Sequence, residues 1–173
     1  MNKQLDFTMT DDAFAKAVAA ADQPTAVLDA LADLVDRTVG VTLFTTMTRD
    51  QARGVARRNF STRPDAYPTG GEKPITPNAW TEMVEHRHET FVANSIEEIA
   101  AVFSDHELIH SLGCESCLNL PIVVGGVVIG TLNCLNGPGH FTPERVAAAE
   151  TLRLQGAIAL MMVRTFETGD DNG

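Results

Sequence analysis

The 173-residue sequence is poor in cysteine, in aromatic residues and in basic residues, and these shortages exclude several classes of protein. Its 3 cysteines are too few for the disulfide framework of a small secreted domain. Only 13 Lys and Arg stand against 23 Asp and Glu, and the resulting net charge of −10 disfavours nucleic acid and anionic membrane surfaces as partners. No apolar run reaches the roughly 18 residues of a membrane-spanning helix, and the N-terminus has no apolar signal core. We therefore predict a cytoplasmic protein with no nucleic-acid or membrane partner.

The rest of the composition is that of one folded domain. Hydrophobic residues make up 44% and charged residues 21% of the chain, which is typical of a globular protein rather than a disordered one. A chain of this length suits a single domain. We predict a helical arm at 1–23, one domain at 24–167 and a mobile tail at 168–173.

The order of the predicted elements indicates an antiparallel α+β fold. Apolar residues at three- and four-residue spacing between Val27 and Val35 predict a helix, and Thr-rich and β-branched segments after it predict strands. The segment 62–76 contains three prolines and two glycines, so we expect an irregular loop of the kind that often covers a binding site. The elements do not alternate as the βαβ units of a parallel sheet do.

A hairpin near the C-terminus is the clearest local signal. Two β-branched runs flank Gly125-Gly126, which fits a two-residue turn. Counting outward from this turn places Cys117 directly opposite Cys134. Because side chains alternate between the two faces of a strand, both cysteines would share the smaller and more polar face with Asn119. We expect the ligand pocket on that face and the terminal helices on the aliphatic face.

The cysteines allow three interpretations, which the sequence leaves open. They can be core residues, since cysteine is among the most buried residue types. They can be reactive, with Cys117 or Cys134 as nucleophile, Cys114 as resolving thiol and Glu115 as a nearby acid or base. They can also bind zinc or iron, because His110, Cys114 and Cys117 follow one another at metal-ligand spacing.

Other residues are candidates for the wall of a small-molecule pocket. Arg57 lies in a short basic cluster of an acidic chain and suits bidentate binding of a carboxylate. The only Tyr and the only Trp suit the lining of a pocket beneath a loop. The full set of predicted ligand-binding residues is Tyr67, Trp80, His88, Glu115, Asn119 and Arg57.

Two stretches of the chain resemble GAF domains. The sequence NLPIVVGGVVIGTLNCL at Asn119–Leu135 looks like the signature hairpin of that family, and FTPERVAAAETLRLQGAIAL is similar to its C-terminal helix. The resemblance implies an antiparallel sheet of about six strands, with the terminal helices on one face and a loop- and helix-covered ligand pocket on the other. It also implies a small-molecule ligand, such as a cyclic nucleotide, bilin, 2-oxo acid or haem, and a homodimer through the N- and C-terminal helices.

A more distant resemblance links the chain to the free methionine-(R)-sulfoxide reductases, which are small GAF enzymes with three cysteines. Two acidic residues that help to hold their substrate fall here on Asn133 and Leu135, and the spacing of the cysteines differs. Our first hypothesis is therefore a GAF domain that senses or carries a small polar or anionic metabolite. The alternative is a small cysteine- or metal-dependent enzyme that acts on a free metabolite, with redox chemistry like that of the reductases.

Overall fold

The computed structural model describes residues 12–167 as a sheet covered by helices on both faces. The strands are β1 (Leu43–Asp50), β2 (Val55–Ser61), β3 (Glu72–Pro74), β4 (Phe91–Ala93), β5 (Ser116–Val124) and β6 (Val127–Asn136). They pair antiparallel in the order β3-β2-β1-β6-β5-β4. The helices are α1 (12–19), α2 (Thr25–Val39), α3 (Ala79–Thr81), α4 (Ile96–Ala100), α5 (His106–Ser111), α6 (Pro143–Glu150) and α7 (Arg153–Glu167), and a π-helical turn (Glu82–His86) follows α3.

This architecture confirms the predicted α+β fold with a six-stranded antiparallel sheet. Residues 12–19 of the predicted arm are helical, and Phe14 packs into the main core. Residues 1–11 and the predicted tail at 168–173 lie outside the described residues. The expectation of a wholly irregular loop at 62–76 is wrong in one respect, because β3 pairs with β2 inside it.

Two hydrophobic clusters occupy the two faces of the sheet. The larger one joins the apolar sides of α2 and α7 to sheet residues such as Phe44, Leu132 and Cys134. The smaller one lies under α4, α5 and the 62–76 segment, and includes Leu43, Tyr67 and Cys117. This separation places the terminal helices on one face and leaves the other face to loops and short helices, as the sequence predicted.

The outer surface of α7 bears on the predicted homodimer. Leu154 and Met161 are 68% and 50% exposed on this helix. They are candidate contacts for a second copy, and the homodimer through the terminal helices stays a prediction.

Among residues 12–167 no single helix is long and apolar enough to cross a membrane, and α6 and α7 pass that test only as a pair, bent by 49° at their junction.

A β-bulge in the hairpin decides which side chains of β6 face the pocket. Val124 pairs with Val127 and Val123 with Val128, as a two-residue turn requires, but Ile122 then pairs with Gly130. Ile129 is therefore an extra residue, and a single extra residue turns the rest of the strand over. The Arg164 Nη2 atom of α7 donates a hydrogen bond to the Ile129 carbonyl at 3.1 Å, so the bulge is held from the helical face.

Candidate functional site

A cavity of about 390 Å³ lies on the sheet face opposite α2 and α7. Its floor is formed by the inward side chains of β1, β2, β5 and β6, and its walls by residues 73–81 and 102–109 together with Tyr67. Ligand pockets in proteins measure about 300–1,000 Å³, so this cavity suits a small molecule.

A row of hydrogen-bonded polar side chains crosses the floor. Trp80 Nε1 donates to Asn119 Oδ1 at 2.9 Å, and Asn119 Nδ2 donates to Asn133 Oδ1 at 2.8 Å. Asn133 Nδ2 in turn donates to Thr45 Oγ1 at 3.2 Å. Asn133 lies opposite both Thr45 and Asn119 in the strand register, so the row follows from the pairing of β1, β6 and β5. Buried amides are costly unless paired, and here each amide supports the next.

Arg58 of β2 brings a positive charge into the cavity. Its guanidinium carbon lies 4.6 Å from the centre of the Tyr67 ring, and its Nη1 atom donates to the Pro68 carbonyl at 3.1 Å. The Arg58 Nε atom is buried and has no hydrogen-bond partner in the described chain. Burial lowers the pKa of this guanidinium, because desolvation disfavours the charged form. A bound anion would offset that penalty.

Tyr67 holds the covering segment in place above Arg58. Its hydroxyl donates to Asp105 Oδ2 at 2.9 Å, which joins the 62–76 segment to the residue preceding α5. Burial is the main cause that raises the pKa of the Tyr67 phenol, and the charge of Asp105 adds to it. Tyr67 therefore remains a neutral hydrogen-bond donor at physiological pH.

A second arginine on the cavity wall is already neutralised. Arg49 Nε donates to Glu85 Oε1 at 2.7 Å, and Arg49 Nη2 also contacts this carboxylate. Both side chains are almost fully buried, and the guanidinium carbon of Arg49 lies 5.6 Å from the centre of the Trp80 ring. The pair fixes the π-helical turn against β1, and it adds no net charge to the cavity.

The charged side chains that line the cavity, other than Arg49, give it a net positive charge, although the chain as a whole is acidic. Arg58 and Lys73 line it, and neither has a carboxylate within salt-bridge distance among residues 12–167. Asp105, which accepts a hydrogen bond from Tyr67, is the one carboxylate that the described lining contributes. The arrangement favours a small anion with an apolar body, because Trp80 and Phe103 supply aromatic surface beside these charges.

The predicted pocket residues divide into two groups. Tyr67, Trp80, Asn119 and Cys117 all line the cavity. The other predicted ligand-binding residues, His88, Glu115 and Arg57, do not contribute to its lining. His88 ends the turn after the π-helix with a positive φ of 57°. Glu115 lies 3.5 Å from His110 in a largely exposed contact, and Arg57 is exposed on the neighbouring position of β2.

The predicted pairing of Cys117 with Cys134 is wrong. Because of the bulge at Ile129, Cys117 pairs with Leu135 and Cys134 pairs with Leu118. Cys117 belongs to the cluster on the cavity side and Cys134 to the cluster under the terminal helices. All 3 cysteines are free and buried. The disulfide relay of the redox hypothesis therefore lacks its facing pair.

The predicted metal ligands do not form a site. No group of three His, Cys, Asp or Glu side chains is arranged to hold an ion within residues 12–167. The His110 ring is 60% exposed and turns to Glu115, whereas Cys114 is fully buried. Zinc or iron thus finds no coordinating set at His110, Cys114 and Cys117.

We expect all three thiols to stay unreactive in the folded chain. Burial raises the pKa of Cys117 and of Cys134 to about 12 and also raises that of Cys114. A protonated thiol is a weak nucleophile, so an aromatic disulfide reagent at neutral pH should titrate 3 thiols only after unfolding in urea. Rapid titration of Cys117 in the native protein would contradict this expectation and favour the cysteine-enzyme hypothesis.

Sequence reasoning missed several groups that define the cavity. The predicted binding residues include Arg57 and not Arg58, and regular alternation from the Gly125-Gly126 turn puts Thr131 and Asn133 on the face opposite the pocket. In each case a bulge changes the direction of the side chain, one between Ile122 and Val123 and one between Thr46 and Met47. Only the polar character of Asn133 within an apolar strand signalled that its face was in question.

The comparisons with known proteins agree with this fold. The family model described as GAF domain matches residues 21–161, whereas no curated protein sequence matches the chain. Among solved structures, the GAF domain of an Acinetobacter phosphoenolpyruvate-protein phosphotransferase has a TM-score of 0.69 at 19% identity, covering 97% of this chain and 99% of that one. The GAF domain of a two-component sensor histidine kinase from Bacillus halodurans has a TM-score of 0.68 at 14% identity, covering 85% and 99%.

A third similar structure is the chromophore-binding domain of a bacteriophytochrome from R. palustris, with a TM-score of 0.64 at 15% identity, covering 97% of this chain and 64% of that one. Likeness at such identities establishes the fold alone. The family model covers most of the chain and establishes the family. This chain belongs to the GAF domain family, whose members are known for binding and sensing small molecules.

Proposed function

We propose that this GAF domain senses or carries a small organic anion, which the cavity binds through Arg58. The observation that carries the proposal is the unpaired Arg58 guanidinium, buried at Nε and held over the Tyr67 ring inside a cavity of about 390 Å³. A carboxylate or phosphate group would pair with its free N–H donors. We place this activity in the cytoplasm, where three free thiols remain reduced.

Two features support an anion rather than a neutral or cationic ligand. Arg49 shows how the chain treats an arginine that serves structure alone, because Glu85 neutralises it completely. Among residues 12–167 Arg58 has no carboxylate within salt-bridge distance, and Asp105 acts on it only from farther away. A partly desolvated cation that no carboxylate contacts directly is stabilised when a ligand brings an anionic group to it.

We expect Arg58→Gln to abolish the stabilisation of the protein by anions. A thermal-shift panel of aromatic acids, 2-oxo acids and nucleoside monophosphates should contain at least one compound that raises Tm of the wild type. Removing a charged hydrogen-bond partner weakens binding about 10- to 100-fold or more, so the same compound should give no shift with Arg58→Gln at equal concentration.

Arg57→Gln is the matched control for this experiment. It removes the same charge from the adjacent residue of β2, whose side chain is exposed outside the cavity. The shift should therefore persist in Arg57→Gln. Equal loss in both variants would indicate that the anion binds by net charge alone, and the proposal would be abandoned.

A further inference from the structure

The floor of the cavity holds a second set of unused polar groups, opposite Arg58. Met47 of β1 pairs with Arg58 on one side and with Thr131 of β6 on the other. The three residues therefore form one row across three strands, with the thioether of Met47 in the middle. Strands lie about 4.8 Å apart, so the backbone positions of Arg58 and Thr131 are separated by about 10 Å.

Thr131 is a buried residue whose side chain makes no hydrogen bond within residues 12–167. Its residue exposure is only 2%, its side chain lines the cavity, and no bond from it to residues 12–167 is found. Because the residue lines the cavity, its hydroxyl is open to a ligand there.

Thr45, which lies two residues before Met47 on β1, also has a hydroxyl group that is only partly used in hydrogen bonds. Its Oγ1 atom accepts from Asn133 Nδ2 at 3.2 Å, which uses one of its lone pairs. In the row of hydrogen bonds from Trp80 through Asn119 and Asn133, each residue donates to the next, and Thr45 is the last acceptor. The hydroxyl hydrogen of Thr45 therefore has no acceptor in the described chain. Thr45 on β1 and Thr131 on β6 together offer hydrogen-bonding groups on the floor of the cavity.

The surface between these two ends suits a flat ring. Met47 lies on the floor between Arg58 and Thr131, and thioethers make favourable contacts with aromatic rings. Trp80 and Phe103 stand in the wall at an edge-to-face angle of 65°, with their centres 6.2 Å apart. An aromatic ring can pack against such edges and faces.

Resting on the proposed function, we propose that the ligand is an aromatic acid that carries a hydroxyl group at the end opposite its carboxylate. The carboxylate pairs with Arg58, the ring lies on Met47 beside the contacting pair Trp80 and Phe103, and the hydroxyl bonds to Thr131 and Thr45. Thr131 is then the residue that determines specificity for the far end of the ligand. Substituents at opposite positions of the ring place the carboxylate toward β2 and the hydroxyl toward β6.

The test compares 4-hydroxybenzoate with 4-methylbenzoate, which has a similar shape and charge but no hydroxyl. A site that hydrogen-bonds a ligand hydroxyl rejects the analogue that lacks it, so the wild type should bind 4-hydroxybenzoate at least about 10-fold more tightly. Thr131→Val preserves the shape of the side chain and removes its hydroxyl. In this variant the preference should fall below about 3-fold, with the affinity for 4-methylbenzoate retained.

Thr46→Val is the matched control. It makes the same change on the opposite face of β1, where the Thr46 hydroxyl is also buried and without a partner. This variant should keep the wild-type preference. A preference that survives in Thr131→Val would overturn the role of Thr131.

The results separate this inference from the proposed function. If both benzoates fail to bind while another anion stabilises the wild type and not Arg58→Gln, the aromatic-acid inference is wrong and the proposed function stands. If 4-hydroxybenzoate binds Arg58→Gln as tightly as the wild type, the proposed function itself is overturned.

Discussion

Gly130→Ala should cost about 4 kcal/mol or more of the free energy of unfolding, a loss of the size seen for severe core defects. A Cβ atom at position 130 would lie 2.1 Å from the backbone oxygen of Met47 and 2.7 Å from Leu160 Cδ1. The leucine can rotate away, but the Met47 oxygen belongs to the central strand β1 and cannot move without opening its pairing with β6. Urea unfolding followed by circular dichroism measures the loss, and failure to obtain folded protein is its extreme form.

Gly137→Ala controls for the removal of a glycine from the same region. Position 137 follows β6, and an added Cβ there meets no atom within 4 Å. This variant should unfold near the wild-type urea midpoint. If Gly130→Ala also unfolds there, the close approach of β1 and β6 described above is wrong.

Glu85→Gln should lower the free energy of unfolding by about 3–5 kcal/mol. The substitution keeps the size of the side chain and removes the negative charge that neutralises Arg49, whose side chain is only 4% exposed. An uncompensated buried charge is strongly destabilising, whereas replacing both partners by apolar groups is often neutral. The double variant Arg49→Met, Glu85→Leu should therefore recover most of the loss in the same urea titration.

The exposed pair Arg53–Glu72 provides the comparison. Its side chains are 59% and 40% exposed, and water and salt screen such pairs. Glu72→Gln should change stability far less than Glu85→Gln does. Equal effects of the two substitutions would show that burial of the Arg49–Glu85 pair has no energetic consequence.

The fold was predictable because its signals are local. Hydrophobic periodicity identified α2, and the Gly125-Gly126 turn located the hairpin, whose first two pairs are formed as expected. The GAF-like residues of the hairpin and last helix then indicated the arrangement of the sheet and the side on which a pocket lies. Alternation along β5 predicts Asn119 on the pocket face, and Asn119 lines the cavity together with Tyr67 and Trp80, the only Tyr and Trp of the chain.

Which face of the sheet each side chain of β2 and β6 occupies was not predictable, because two β-bulges depend on contacts that are distant in the sequence. The bulge at Ile129 is bonded by Arg164, a residue 35 positions later in the chain. Without it, alternation from the turn puts Cys134 in the pocket and Asn133 outside it. Neither strand sequence signals the extra residue.

The second bulge explains why Arg58, and not the predicted Arg57, faces the cavity. Phe60 packs with Phe44 on the side of the terminal helices, with ring centres 6.1 Å apart. Regular alternation from Phe60 would put Arg57 in the cavity. Thr46 pairs with Phe60, but Met47 pairs with Arg58, so Asn59 is the extra residue and Arg58 faces inward instead.

The most direct test of the anion site uses Trp80, which is the only tryptophan of the chain and lines the cavity. Its fluorescence should change saturably when 4-hydroxybenzoate, or the strongest anion of the thermal-shift panel, is titrated into the wild-type protein. The same titration should leave the fluorescence of Arg58→Gln unchanged. A saturable change of equal midpoint in Arg58→Gln, or no change in the wild type with any anion of the panel, would contradict the proposal that this cavity binds an organic anion through Arg58.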